Sequence, residues 1–281
     1  MYHVTEKRLT AVLWDSVAEP AQINEWSNPD NQRCAAYYLS NTYGEDWLGA
    51  PSIEVLGQRL SQGWPEGVER LMALATREVS PTSIRRRRER ADQGAELDIH
   101  AVYRGDLSRA WTRSRRKASS GVRTLCVLVD LAANADITAD QMFWRGAAAL
   151  RLTSALTEAG YGVALYGVSG GKNQDNDGSV DTMQMVSIKD EDQPLDMDRL
   201  AALTAMPGFF RTALFAGMCK VCDLRDKPVS SGLGQAKPEL IAKGAAMLPV
   251  PQTLIIQDPV TDQQSAEAWI EKVLSELEVS V

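Results

Sequence analysis

The sequence predicts an α/β fold with a doubly wound, mostly parallel sheet carrying one antiparallel strand, preceded by a helical N-terminal region. Three observations lead there. The run Thr124-Leu-Cys-Val-Leu-Val129 ends on Asp130 and is followed by small residues, the pattern of a buried strand delivering an acid to the carboxyl edge of a sheet. A helical pattern through Met142, Trp144, Ala147, Leu150, Leu152 and Leu156 stops at Gly160, and a second apolar run, Val163–Val168, completes a Rossmann-like βαβ unit. A compact polar loop over 169–179 then leads to a third strand, Val180–Ile188, and so short a connection predicts antiparallel pairing.

The remaining elements follow in order. Residues 1–93 read as helical. Ser52 is a plausible cap for a helix through Ile53, Leu56 and Leu60, and Pro65 opens another through Val68 and Leu71. Trp14, Trp26, Trp47 and Trp64 are expected as core anchors. Residues 94–122 form a connecting segment in which Leu97, Ile99 and Ala101 alternate with polar residues as in a short strand, and Arg104-Gly105-Asp106 reads as a turn. The α/β domain spans 123–281. Beyond its third strand come a helix over Leu195–Met206, a break at Pro207-Gly208, a helix beginning at Thr212, a strand Thr253–Gln257 ending on Asp258, and a closing amphipathic helix from Gln264 to Leu277.

Composition narrows the function. With 44% hydrophobic and 24% charged residues the chain is expected to be a folded, water-soluble protein. No apolar run reaches the ~18 residues of a membrane span, and the start lacks a leader's apolar core, so a cytoplasmic protein without membrane contact is expected. Cys34, Cys126, Cys219 and Cys222 are too few and scattered for a disulfide framework, and the Cys219/Cys222 pair falls inside an expected helix with no metal-ligand partners nearby. Gly170-Gly171-Lys172 lacks the spacing of a phosphate loop. Asn173, Asp175, Asp177 and Gly178 match the opening of a calcium hand but lack its closing glutamate, which leaves a hairpin tip.

The net charge of −7 hides an asymmetry of +1 over residues 1–120 and −8 over the rest. The basic excess forms two clusters: Arg85, Arg86, Arg87, Arg88 and Arg90, then Arg109, Arg113, Arg115, Arg116 and Lys117. Such a stripe could hold phosphate backbones, or could be a solvated face docking on the acidic remainder of the chain.

Asp130, Thr212 and Asp258 would converge at one sheet edge, two acids and a hydroxyl of the hard-oxygen kind that Mg²⁺ prefers. The order strand-Asp, helix, strand, antiparallel strand, helix, Gly-x-x-x-Thr, strand-Asp resembles the von Willebrand factor A fold, whose metal-ion-dependent adhesion site uses Asp-x-Ser-x-Ser, a later Thr and a further Asp. Upstream, Gly94-Ala-Glu-Leu-Asp-Ile, the basic Arg113–Lys117 and Arg123 are similar to the lead-in of bacterial A-domain proteins of the CoxE type and of phage-encoded relatives. The resemblance covers roughly 94–281. Where the family has its serines, this chain has Asp130-Leu131-Ala132-Ala133-Asn134, leaving Asp130, Asn134, Thr212 and Asp258 as a degenerate site. The cofactor expectation is therefore none, or Mg²⁺ held weakly, with Asp130 alternatively capping the N–H groups of the following loop.

The resemblance implies a non-enzymatic interaction or adaptor protein that binds a protein partner, an ATPase of the MoxR class being the usual partner of CoxE-type relatives. The alternative is a nucleic-acid-binding protein using the Arg85–Lys117 stripe, and Ro-type RNA-binding proteins share the layout of a helical region joined to an A-like domain. A metal-dependent hydrolase built on Asp130 and Asp258 has the least support. His100 is a lone histidine, and no Gly-x-Ser-x-Gly, His-Glu-x-x-His or phosphate-loop motif is present.

Overall fold

Strand β6 (Thr124–Asp130) lies inside a six-stranded mixed sheet, flanked in parallel by β7 (Gly162–Asp175) and β9 (Thr253–Ile256) in this computed structural model. The structure describes all residues except 7–8, 41–42, 78, 80–85, 92–95, 98, 104, 106–109, 117–123, 176–177, 230–237, 251, 257–259 and 280–281. β7 pairs antiparallel with β8 (Gly178–Lys189), as the short connection predicts. Both strands run further into the polar 169–179 stretch than expected. Gly170 and Gly171 pair with Met183 and Thr182, and a Cβ on Gly170 would lie 2.5 Å from the Leu240 side chain, so the glycine lets a helix press on the strand.

The sheet order is β1-β2-β8-β7-β6-β9. Its first two strands lie in the N-terminal region that reads as largely helical from the sequence. β1 (Tyr2–Glu6) and β2 (Leu9–Trp14) form an antiparallel pair, and β2 joins β8 in parallel. The sheet thus holds two antiparallel pairs, where one antiparallel strand is expected. β2 resembles no helix in burial: Leu9, Thr10, Ala11, Val12 and Trp14 are all buried, because both faces of an interior strand are covered.

Four α-helices follow, as expected: α1 (Pro29–Leu39), α2 (Glu45–Leu48), α3 (Ile53–Gln62) and α4 (Pro65–Met72). Asn28 and Ser52 cap α1 and α3 by accepting the N–H groups of Asp30 and Val55. Leu71 and Leu74 belong to the same buried cluster as Val127, Val129 and Leu150, so this region shares a core with the α/β body. Trp14 is buried there, Trp47 and Trp64 pack against it, and Trp26 packs on the Ala35–Cys219 cluster.

Strand alternation sends Leu125, Val127 and Val129 to one face of the sheet and Cys126 and Leu128 to the other. The first face is covered by α6 (Ala139–Glu158), α7 (Met197–Thr204), the continuous turn of α8 (Pro207–Phe209), a π turn (Phe210–Leu214) and α9 (Phe215–Asp223), and by α11 (Gln263–Val279). The second carries Leu240 and Ile241 of α10 (Pro238–Met247). This is a doubly wound α/β arrangement. α6 and α7 cross so closely that a Cβ on Gly146 would lie 2.1 Å from the Thr204 carbonyl oxygen.

A second, three-stranded sheet has the order β3-β5-β4, from β3 (Arg86–Ala91), β4 (Glu96–Leu97) and β5 (Trp111–Arg116). The expected strand through Leu97, Ile99 and Ala101 ends at Leu97, and Ile99–Tyr103 is a helical turn, α5, that buries Ala101 alone of the three. Gly105 supplies the expected turn with φ +76°. Among the described residues no single helix is long and apolar enough to cross a membrane.

Candidate functional site

The acid at the end of β6 is where the sequence places it, at the carboxyl edge of the sheet, but it faces inward. Asp130 is 4% exposed, and its Oδ1 accepts the N–H of Ala132 at 2.9 Å, the loop-capping bond expected of an aspartate before a turn of small residues. Leu131 extends the sheet by donating its N–H to the Val168 carbonyl. Leu131, Ala132 and Ala133 are buried, so the positions that would carry hydroxyl ligands are packed instead. Thr138 and Gln141 then form a reciprocal capping box that starts α6.

The cation facing Asp130 comes from the protein. Arg145, 2% exposed on the second turn of α6, places a guanidinium nitrogen 3.4 Å from Asp130 Oδ2. The same nitrogen donates to the Asp130 and Ala132 carbonyls at 2.9 and 2.8 Å. Burial pushes the Asp130 carboxyl up to about 6, against the opposing pull of Arg145 and the Ala132 N–H, and burial likewise lowers Arg145. Desolvation therefore outweighs the Coulombic attraction within this pair, as is general for buried ion pairs. The guanidinium remains charged at neutral pH.

A second buried arginine holds the rest of the loop. Arg211, 1% exposed in the π turn, donates to the Ile137 carbonyl at 2.7 Å, the Trp47 carbonyl at 2.9 Å and the Asn134 carbonyl at 3.5 Å. Its guanidinium lies 4.0 Å from the Trp47 ring centroid. Arg145 and Arg211 together fasten the 130–137 backbone through its carbonyl groups. What remains outward is Asn134, Ala135 and Asp136, all exposed, next to the α2 end that Trp47 anchors. Tyr43 packs on Trp47, and its hydroxyl meets that of Tyr37 at 2.8 Å.

Thr212 and Asn134, the other described residues of the predicted site, make contacts of their own. Thr212 does not begin a helix: the helix starts at Pro207, and Thr212 is buried inside the π turn with its hydroxyl donating to the Gly208 carbonyl at 2.6 Å. The Asn134 backbone is tied to Arg211, while its side chain is on the surface. Asp258 lies outside the described residues. Among the described residues no three His, Cys, Asp or Glu side chains converge as a metal centre. A guanidinium against the carboxylate, a hydroxyl committed to a carbonyl and alanines in place of serines do not fit a Mg²⁺ ion.

The basic clusters, by contrast, come together. β3 and β5 pair antiparallel, with Arg86 opposite Arg116, Arg87 opposite Arg115, Arg88 opposite Ser114, Glu89 opposite Arg113 and Arg90 opposite Thr112. Arg85 and Lys117 lie outside the described residues. Sequence reasoning missed Arg145 and Arg211. Each had a signal, a lone arginine between aromatic and small residues in an apolar helix (Phe143-Trp144-Arg145-Gly146 and Phe209-Phe210-Arg211), since an arginine there needs buried partners.

No curated protein and no solved structure matches the chain. A family model, described as a domain of unknown function (DUF7192), matches residues 5–280, and the chain belongs to that family.

Proposed function

We propose that this chain is a non-enzymatic interaction protein, a von Willebrand A-like module that binds a protein partner through the loop at the carboxyl end of β6 without using a metal ion. The observation that carries this reading is the pair of buried arginines. Arg145 supplies from within the positive charge that a metal would bring to Asp130, and Arg211 fixes the loop backbone, so Asn134–Asp136 stand on a rigid base. The strand sequence β6, α6, parallel β7, antiparallel β8, with β9 on the other side of β6, supports the A-like reading. An acid this deeply buried is poorly placed for acid–base work, which counts against hydrolysis at Asp130.

The resemblance to CoxE-type proteins nominates a MoxR-class ATPase as partner. The test is size-exclusion and calorimetric titration of the protein with such an ATPase from the same genome. The expected result is a complex that survives EDTA and is lost in Asp136→Lys combined with Tyr43→Ala. A complex that requires Mg²⁺ at this protein's site, or one indifferent to both substitutions, contradicts the reading.

A further inference from the structure

Helices α1 and α9 pack against each other in opposite directions, and their contacts keep one register. At one end the Asp223 carboxylate accepts the N–H groups of Ser27 and Asn28 at 2.7 to 3.2 Å. At the other end the rings of Tyr38 and Phe215 meet edge to face, with 4.8 Å between centroids. Positions on α1 thus rise as those on α9 fall, and midway along the seam Cys34 packs on the cluster that holds Cys219. Ala35 and Ala216 are buried in the same cluster, and side chains that small let the two helices approach closely.

Two cysteines 185 residues apart in the chain therefore share one seam. All four cysteines of the protein are thiols. The Cys34 side chain is within hydrogen-bond reach of the Cys219 thiol and of the Tyr38 hydroxyl, so sulfur already meets sulfur between the helices. A disulfide tolerates little departure from its own geometry, which makes that prior approach the decisive requirement. The pair is also asymmetric in access. Cys34 is partly exposed, whereas Cys219 is fully buried, and burial pushes its thiol up, which keeps it protonated and inert toward reagents in solution. Cys126 belongs to the cluster on the other face of the sheet. Among the described residues no metal centre forms that would engage these sulfurs instead.

We propose that Cys34 and Cys219 are a redox-active pair that closes to a reversible disulfide, joining α1 to α9, when the protein meets hydrogen peroxide. This goes beyond the protein-partner reading and uses none of its residues. In the first step the accessible Cys34 sulfur attacks the peroxide O–O bond, becomes a sulfenic acid and releases one water. In the second the Cys219 sulfur displaces the sulfenic hydroxyl, which leaves as a second water with the Cys219 proton as the S–S bond forms. The two thiols give up two electrons and two protons, and the peroxide is reduced to two waters. A dithiol reductant restores both thiols by exchange.

The experiment treats the folded full chain with a modest excess of hydrogen peroxide, then alkylates the remaining thiols in denaturant and reads intact mass and a non-reducing peptide map. Wild type is compared with Cys34→Ser, Cys219→Ser, Cys126→Ala and Cys222→Ala, with circular dichroism to show that each is folded. In wild type the alkylatable thiols should fall from four to two, the Cys34 and Cys219 peptides should be joined, and dithiothreitol should restore all four. Cys34→Ser should keep all its thiols. Cys219→Ser should lose only Cys34, as a sulfenic acid that dimedone traps. Cys126→Ala and Cys222→Ala should each still lose two. A bridge between any other pair, a bridge between two copies of the chain, Cys34 carried to the sulfinic acid while Cys219 stays alkylatable, or four unchanged thiols in folded wild type would each overturn the proposal. The wild-type peptide map decides the matter even if a variant does not fold.

Discussion

Arginine does opposite work in two regions of this molecule. At the carboxyl end of β6, Arg145 and Arg211 are withdrawn from water and spend their donors on five carbonyl contacts and one carboxylate. In the β3–β5 pair, arginine stands opposite arginine at two register positions, Arg86 with Arg116 and Arg87 with Arg115. The contacts of the first region build the fold.

The largest way to break the closed corner is to remove its cation. Arg145→Met should cost about 3–5 kcal/mol of unfolding free energy at neutral pH, because the Asp130 carboxylate is left buried without a counter-charge. Denaturant titration reads this directly, and the loss should be smaller near pH 5, where Asp130 escapes by taking up a proton. A cost below about 1 kcal/mol at neutral pH would mean that the pair is open to water. Arg211→Met should cost about 2–3 kcal/mol, since it orphans the Ile137 and Trp47 carbonyls together. It should also raise hydrogen exchange in the 134–137 loop, a change Arg145→Met need not share.

Asp130→Asn sharpens the comparison by pH. The folded carboxyl titrates near 6 and an unfolded aspartate near 4, so the folded state holds the proton more tightly. The stability this group contributes is therefore fully present below about pH 4 and is lost as pH rises through about 6. Relative to Asp130→Asn, the wild type should lose on the order of 2 kcal/mol between pH 4 and pH 7, measured by denaturation at each pH. A constant difference would mean that Arg145 fully offsets the burial of the acid. Gly146→Ala tests the neighbouring α6–α7 contact, where a Cβ meets a backbone oxygen, and should cost about 1–3 kcal/mol without altering that pH dependence.

The elements legible in the sequence were those whose signal is local. The Asp130 strand, the helix to Gly160 and the β7–β8 pairing each follow from a continuous apolar run, a 3.6-residue period or a short connection. β2 was hidden because its parallel partner, β8, lies about 170 residues away, and a strand buried on both faces shows no alternation to read; β1 pairs with β2 at the sheet edge. Thr212 was misplaced for a related reason. A π turn inside a continuous helix has no distinct sequence period, so the break at Pro207-Gly208 was taken to extend to it. The arginine clusters were visible as charge, but only the register of β3 against β5 showed that they share a face.

The most direct test of the closed corner is thermal unfolding of the wild-type protein with EDTA and with Mg²⁺ raised to about 10 mM. An internal guanidinium in the place of a metal predicts the same midpoint in both. A saturable upward shift with Mg²⁺, the signature of an ion that binds the folded state, would contradict it and restore a metal to the face at which the partner is proposed to bind.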